Sequence, residues 1–359
     1  RINGITQENL TGIRMVRAYN AEKYQEDKFA KENRSLTRYQ LFAGRVMGLV
    51  SPLITIAMNG LSLAIYWIGA YLINDGVIDY PTVTSFIMLS SQIIMSFMLL
   101  LMMLIIWPRA SVCARRINEV LQTTDSIKDP PVEKKLGAPG TIEFRNVSFK
   151  YPDAAENVLE NISFKAKKGD TIAFIGSTGS GKSTLINLVA RLYDVTSGQI
   201  LVDGVDVREM KQKTLRSLIG FVPQRGVLFS GTVKDNIAFG KPDLSLGDAQ
   251  KAARIACADE FIETMDGSYE APIAQGGTNV SGGQRQRICI ARAVAANPQF
   301  FVFDDSFSAL DFKTDRKVRD NLKAFEKDAT KLIVAQRIGT IMESVTIVVP
   351  HNGKTVGAG

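Results

Sequence analysis

Gly176, Ser177, Thr178, Gly179, Ser180, Gly181, Lys182, Ser183 and Thr184 follow one another directly after the apolar run of residues 171–175 and directly before the mostly apolar residues 185–190. The pattern reads as strand, glycine loop and helix. Glycines let the backbone curl until successive N–H groups point at one centre, and such a concavity at a helix N-terminus binds phosphate oxygens. Lys182 is then placed to reach the β- and γ-phosphates of a nucleotide, and the Ser183 hydroxyl to ligate Mg²⁺. Residues 176–181 and Thr184 complete the expected nucleotide-binding set, so the ligands anticipated are a nucleoside triphosphate and Mg²⁺.

Two further stretches supply what chemistry on a triphosphate needs. The apolar run Phe300, Phe301, Val302 and Phe303 ends in Asp304 and Asp305, which delivers a carboxylate pair to the C-terminal edge of a strand. Asp304 is there the candidate that holds Mg²⁺ through water. Ser281, Gly282, Gly283 and Gln284 open a second segment. A serine and two glycines in that order cap a helix whose free N–H groups and positive dipole end can meet a γ-phosphate.

Together the phosphate loop, Asp304 and the segment from Val280 to Gln284 resemble the signature set of the ATP-binding cassette (ABC) family, whose usual signature is Leu-Ser-Gly-Gly-Gln. The resemblance covers the whole chain. It implies that the nucleotide is ATP, that two ATP molecules are sandwiched between paired domains, and that the signature of each chain faces the nucleotide of the other. It implies further that Tyr151 stacks on adenine and that Gln224 contacts Mg²⁺ or the attacking water. Ser308, Ala309, Leu310 and Asp311 would form the loop that crosses the dimer interface. Simpler readings stand beside these: Tyr151 as a half-buried strand residue, Asp311 as a helix cap.

Two catalytic positions depart from the family pattern. Where the family carries the glutamate that orients or deprotonates water, this chain has Asp305, one methylene shorter. A misplacement near 1 Å can lower a rate about a hundredfold. Where the family has a histidine on the γ-phosphate, this chain has Gln336, which can hydrogen-bond a phosphate but cannot carry a proton. The sole histidine, His351, precedes Asn352 and Gly353 and reads as a solvated turn residue between strands. Arg225 and Arg337 read as surface or interface charges and not as catalytic groups. With an intact signature, Asp305 and Gln336 resemble the degenerate subunit of heterodimeric bacterial ABC exporters.

The elements that must position these groups begin at Thr141. Residues 142–149 and 158–164 alternate like strands leading into the phosphate-loop strand. Later strands are expected over residues 199–202, 219–222, 300–303, 332–335 and 345–349, with helices over 248–265 and 283–296. Residues 117–140 read as a linker by their Pro, Gly and charge content. Ahead of it, residues 1–45 are polar and helix-prone, a solvated helix expected to end at Arg45.

Residues 46–73 and 81–108 contain no charged side chain. Each run exceeds the roughly 20 residues that cross a bilayer core. Arg38 and Arg45 on one flank, and Arg109, Arg115 and Arg116 on the other, contrast with the acidic connection over residues 74–80. By the positive-inside rule both ends are cytosolic, and Tyr66, Trp67, Tyr71, Tyr80 and Trp107 include candidate interfacial anchors. The net charge of +7 is accounted for by cytosolic flanks, so no nucleic-acid partner is expected. The three cysteines fit a reducing cytosol in no metal-ligand pattern.

The fold expected is a membrane α-helical hairpin, part of a six-helix exporter bundle, followed by an α/β P-loop NTPase domain with a β-subdomain and a helical signature subdomain. Residues 1–116 would be the partial transmembrane domain, 117–140 the linker and 141–359 the nucleotide-binding domain. The chain starts within a helix and reads as a fragment holding the last two spans and most of the nucleotide-binding domain. Residues 6–13 and 16–19 look like the second intracellular loop of such an exporter, with its short coupling helix. The function implied is that of an exporter half of the multidrug or lipid type, in the cytoplasmic membrane, with a second half-transporter as partner, a heterodimer or a homodimer. The alternative is a membrane-anchored nucleotide sensor with little turnover. The substrate is not readable: Met95, Met98, Met102 and Met103 fit packing or lipid contact as well as a drug site.

Overall fold

The computed structural model describes residues 2–177, 179–336, 339, 344–351 and 354–358. Thr178, Arg337, Asn352 and Gly353, all singled out above, lie outside the described residues. The chain divides into two compact units, Arg1–Thr124 and Asp125–Gly359.

The first unit is helical throughout: α1 (Ile2–Ala18), α2 (Glu22–Asn74) and α3 (Tyr80–Gln122). The break between α1 and α2 falls at Asn20, whose φ of 50° is the left-handed conformation that asparagine tolerates. Lys28 and Glu8 join the two helices by an ion pair of 2.9 Å. The helix expected to end at Arg45 does not end there; it runs on as α2 to Asn74. Nothing between Arg45 and Val46 breaks a helix, and the change from polar to apolar side chains alters the surroundings of the backbone without altering its conformation. At 1.5 Å per residue α2 is about 80 Å long, far more than one bilayer crossing. Residues 117–122, read from composition as linker, are likewise the last turns of α3.

Both α2 and α3 are long and apolar enough to cross a membrane. The turn between them is set by Asp79, the N-cap of α3, which accepts from the Thr82 amide at 3.3 Å with Pro81 in the first turn. The helices meet closely at Gly69 and Val83, both buried. A Cβ on Gly69 would lie 2.8 Å from Val83 Cγ2, so only glycine permits that approach.

The second unit comprises, in chain order, β1 (Ile142–Phe149), β2 (Leu159–Ala166), β3 (Thr171–Phe174), α4 (Lys182–Val189), β4 (Ser197–Val202), β5 (Val205–Asp206), α5 (Gln212–Ser217), β6 (Ile219–Val222), β7 (Gly231–Thr232) and α6 (Val233–Ile237). It continues with α7 (Leu246–Ile255), α8 (Asp259–Glu263), β8 (Pro272–Ile273), α9 (Gly282–Ala295), β9 (Phe300–Asp304), α10 (Phe312–Phe325), β10 (Thr330–Val334), β11 (Thr346–His351) and β12 (Lys354–Ala358). The helix expected over 248–265 is two helices, α7 and α8, parted near Cys257 with its φ of 52°. No glycine or proline marks that break. His351 is the last residue of β11, paired with Lys354 of β12.

Two sheets organise the unit. An antiparallel sheet has the order β2-β1-β4-β5, and a second has the order β12-β11-β3-β10-β9-β6. In the second, β11, β3, β10, β9 and β6 are all parallel. Their near-continuous apolar runs are what a parallel sheet covered on both faces requires. Phe300, Phe301, Val302 and Phe303 are fully buried, and alternate between two cores. Phe300 and Val302 pack with α4 and the antiparallel sheet; Phe301 and Phe303 pack with α7 and α9. The residues ahead of β1 are strapped to this body: Asp129 accepts from the Gln212 amide at 2.9 Å, Arg191 donates to the Lys128 carbonyl at 3.1 Å, and the Gly137 amide donates to the Asp203 carbonyl at 2.8 Å.

Candidate functional site

Parallel strands end on one edge of their sheet, and ligands of open α/β sheets bind in the crevice outside those carboxyl ends. In this chain four strands deliver the expected groups to that edge. β3 runs into the phosphate loop, β6 into Gln224, β9 into Asp304 and Asp305, and β10 into Gln336. The register aligns them, with Val334 beside both Phe174 and Asp304, and Val222 beside Phe303. A cleft of about 320 Å³ lies there, lined by Gly179, Gly181, Lys182, Ser183, Thr184, Gln224, Asp304, Asp305 and Gln336, with Val158 and Val334.

The loop enters α4 through Gly181, whose φ of 94° is strained for any residue with a side chain. A Cβ there would fall 2.7 Å from Leu159 Cδ2. Lys182 is buried, and its ammonium donates to the Gly176 carbonyl at 2.8 Å, the Ser177 carbonyl at 2.7 Å and Ser180 Oγ at 3.3 Å. Burial pushes its pKa below the ordinary lysine value, opposed by the charges of Asp305 and Asp304. The cation is thus held inside the loop, against oxygens that phosphate oxygens could replace.

Ser183 Oγ donates to Asp304 Oδ1 at 2.8 Å. Burial raises the Asp304 pKa, partly offset by that hydrogen bond and reinforced by Asp305. A hydroxyl and a carboxylate side by side are hard oxygen donors, the set Mg²⁺ takes alongside phosphates and water. Ser183 and Asp304 therefore fit the metal, which when bound would neutralise charge on the phosphates.

Asp305 is 7% exposed and has a φ of 46°. Its Oδ2 accepts from Gln336 Nε2 at 3.0 Å and from Gln224 Nε2 at 3.4 Å. Neither amide can receive a proton from it. The three residues that separate this site from the family pattern, or that would sense Mg²⁺, are thereby in direct contact.

Tyr151 lies beside the loop helix, its hydroxyl 3.0 Å from Thr184 Oγ1 and its ring edge-on to Phe149 and Tyr193. Tyr151 is partly buried, as the simpler reading expects, but it lies two residues beyond the end of β1 and so is not a strand residue. Arg225 is exposed. Ser281 caps α9 with a full capping box: its Oγ accepts from the Gln284 amide at 3.3 Å, and Gln284 Oε1 accepts from the Ser281 amide at 2.9 Å. Gly282 is exposed, so the helix end is open to a ligand. Ser308 Oγ donates to the Asp305 carbonyl at 2.7 Å, and Asp311 caps α10 by accepting from the Thr314 amide at 3.0 Å. Ala309 abuts Gly283, where a Cβ would lie 3.4 Å from the Ala309 carbonyl oxygen, and Leu310 is buried.

Sequence reading missed Gln286, Ser306 and Tyr193. Gln286 had a usable signal: it is a polar residue three positions before the apolar Cys289 on a helix face that is otherwise buried. Ser306 and Tyr193 had none.

The transmembrane region of ABC transporters matches residues 1–97, and the ABC transporter ATP-binding model matches residues 159–308. An ABC transporter ATP-binding protein of Mycobacterium tuberculosis is 45% identical over 100% of this chain and 62% of its own length. The ATP-dependent lipid A-core flippase of Syntrophus aciditrophicus is 35% identical over 99% of this chain and 59% of its own. Among solved structures, a bacterial Atm1-family ABC exporter with ATP bound gives a TM-score of 0.85 at 27% identity, covering 99% of this chain and 62% of that one. The chain thus spans about 60% of the length of these relatives.

Proposed function

This chain belongs to the ABC transporter family, and from that premise we propose that it is the ATP-binding half of an exporter whose own ATP site turns over slowly. The family brings a membrane region and an ATP-binding domain that go together with ATP-driven export. ATP would be held by residues 176–184, with Tyr151 on the base, and Mg²⁺ by Ser183 and Asp304. Two such halves would close over two nucleotides, each half lending Ser281, Gly282, Gly283 and Gln284 to the other's phosphates. The membrane helices would lie in the cytoplasmic membrane with the nucleotide-binding domain in the cytosol.

The observation that carries the slow-site reading is the contact of Asp305 with both Gln336 and Gln224. A general base must approach water and accept its proton. Here the shorter carboxylate is turned toward two amides, neither of which can relay a proton. The capped and exposed signature helix has no such defect, which supports a division of labour: this chain retains ATP while its signature serves a faster site on a partner half. That partner would carry the glutamate and histidine that this chain lacks. To test it, the full-length subunit is purified alone and with its partner, and steady-state ATP hydrolysis is measured. Slow hydrolysis alone and fast hydrolysis together are expected; brisk hydrolysis by a homodimer, abolished by Asp305→Asn, would sink the reading.

A further inference from the structure

A second cavity, of about 460 Å³, lies between α10 and the strands β3, β9 and β10, and it shares no lining residue with the cleft that ends in Asp304 and Asp305. Its size is within the range of about 300–1,000 Å³ that small-molecule sites occupy. The walls are of two kinds. Phe303, Phe307, Leu322 and Ile333 are buried and give it an apolar floor. The charged side chains that line it, among the described residues, are Arg319, Lys323, Lys327 and Lys331, all of one sign.

Two of these cations are placed very differently. Arg319 is balanced inside the protein, its Nε donating to Oδ1 of the buried Asp315 at 2.8 Å. Lys331 is only 8% exposed, and its ammonium donates to the Glu326 carbonyl at 2.7 Å and the Ala329 carbonyl at 3.0 Å. Both partners are neutral oxygens, and an ammonium has three N–H groups, so the third has no partner among the described residues. Burial lowers the Lys331 pKa, opposed by the charge of Glu326, while burial raises the pKa of Glu326 itself. Ser344 Oγ lines the same cavity and, shut off from solvent, also has no hydrogen-bond partner among the described residues. A buried charge without a counter-ion is costly. A hydrocarbon in the cavity would leave the ammonium uncompensated, and a bare inorganic anion would leave the apolar floor wet.

We propose that this cavity binds a carboxylate carried on an apolar body, of the class of a medium-chain fatty acid, with its head at Lys331 and Ser344 and its body on Phe303, Phe307, Leu322 and Ile333. Lys327 is exposed and adds positive charge where the head group approaches. The ligand would lie against the back of the strands that reach the ATP cleft, since Phe303 directly precedes Asp304 and Ile333 stands three residues ahead of Gln336. The proposal is independent of the slow-site reading and of how the two halves pair.

The test uses the full-length subunit in the dimer it forms, held in lipid nanodiscs, and a medium-chain fatty acid with a photoreactive diazirine at its far end. After irradiation the adducts are mapped by peptide mass spectrometry. Adducts are expected on the peptides that hold Phe303, Phe307, Leu322 and Ile333, displaced by decanoate and much less by decanol or by inorganic phosphate at the same concentration. Lys331→Met keeps the apolar stem and removes the charge. Loss of a hydrogen bond to a charged group corresponds to about tenfold or more in the concentration that half-saturates labelling. Val345→Trp alters an exposed residue that lines the cavity and leaves Lys331 in place; it is expected to lower labelling by obstruction, and it carries the test should Lys331→Met fail to fold. Adducts absent or confined to α2 and α3, displacement by decanol or by phosphate as effective as by decanoate, or unchanged labelling of either folded variant would each overturn the proposal.

Discussion

Asp305 carries its carboxylate one methylene closer to the backbone than a glutamate would. Its backbone is in the left-handed region with a φ of 46°, a conformation held at a cost of about 1–3 kcal/mol. That conformation aims the side chain into the cleft between the ends of β6 and β10. From there its Oδ2 meets Gln336 at 3.0 Å and Gln224 at 3.4 Å. A glutamate on the same backbone would reach farther toward the phosphates, and a histidine at 336 could exchange a proton that glutamine cannot. The double substitution Asp305→Glu/Gln336→His is therefore expected to raise ATP hydrolysis at this chain's own site by about tenfold or more. The measurement is steady-state hydrolysis by the full-length subunit purified without a partner; an unchanged rate would show that the two substitutions do not limit the site.

At the scale of elements, the site depends on strands that all end on one edge and on turns that hold the neighbouring sheet against them. Asp203, in the turn between β4 and β5, is 1% exposed and accepts from the Thr141 amide at 3.1 Å, while its own amide donates to the Thr141 carbonyl at 2.9 Å. Burial raises its pKa, opposed by the backbone donors of Thr141 and Gly140. A raised pKa means that the fold favours the protonated form, so the contribution to stability is fully present below the unfolded value of about 3.9 and is lost as pH rises through the folded value. Asp203→Asn keeps an acceptor and has no proton to lose. Relative to the parent, this variant is expected to gain thermal midpoint progressively as pH rises above about 4; a difference that does not vary with pH would refute the assignment. The same scale decides what the sequence makes legible. Residues 176–184 are contiguous, and the Phe300 to Asp305 run carries its strand and its carboxylates together, so both could be read directly. The meeting of Asp305 with Gln224 and Gln336 joins residues 81 and 31 positions apart and depends on the order β3-β10-β9-β6, which no spacing encodes. The α2 helix continues past Arg45 because polarity marks the surroundings of a helix and not its end. The break at Cys257 was hidden because a non-glycine residue adopts the positive φ.

At the scale of the molecule, this chain contributes two separate pieces of ATP chemistry, and the proposed dimer puts them in different sites. Its phosphate loop, with Lys182 held by the Gly176 and Ser177 carbonyls, would belong to its own, proposed slow site. Its α9 cap, where Ser281 and Gln284 satisfy each other, would belong to the partner's fast site. The two pieces should therefore fail differently. Lys182→Ala removes the cation of the phosphate loop and is expected to weaken ATP binding at this chain about tenfold or more, while turnover at the partner's site persists. Ser281→Ala costs the helix cap about 1 kcal/mol and leaves the loop untouched. It is expected to spare nucleotide affinity at this chain and to slow total hydrolysis about tenfold, because only the composite site loses a group facing the γ-phosphate. Nucleotide affinity and hydrolysis, measured on the same full-length dimers, separate the outcomes. Equal loss of affinity in both variants would place Ser281 and Lys182 in one site and contradict an exchange of signatures between halves.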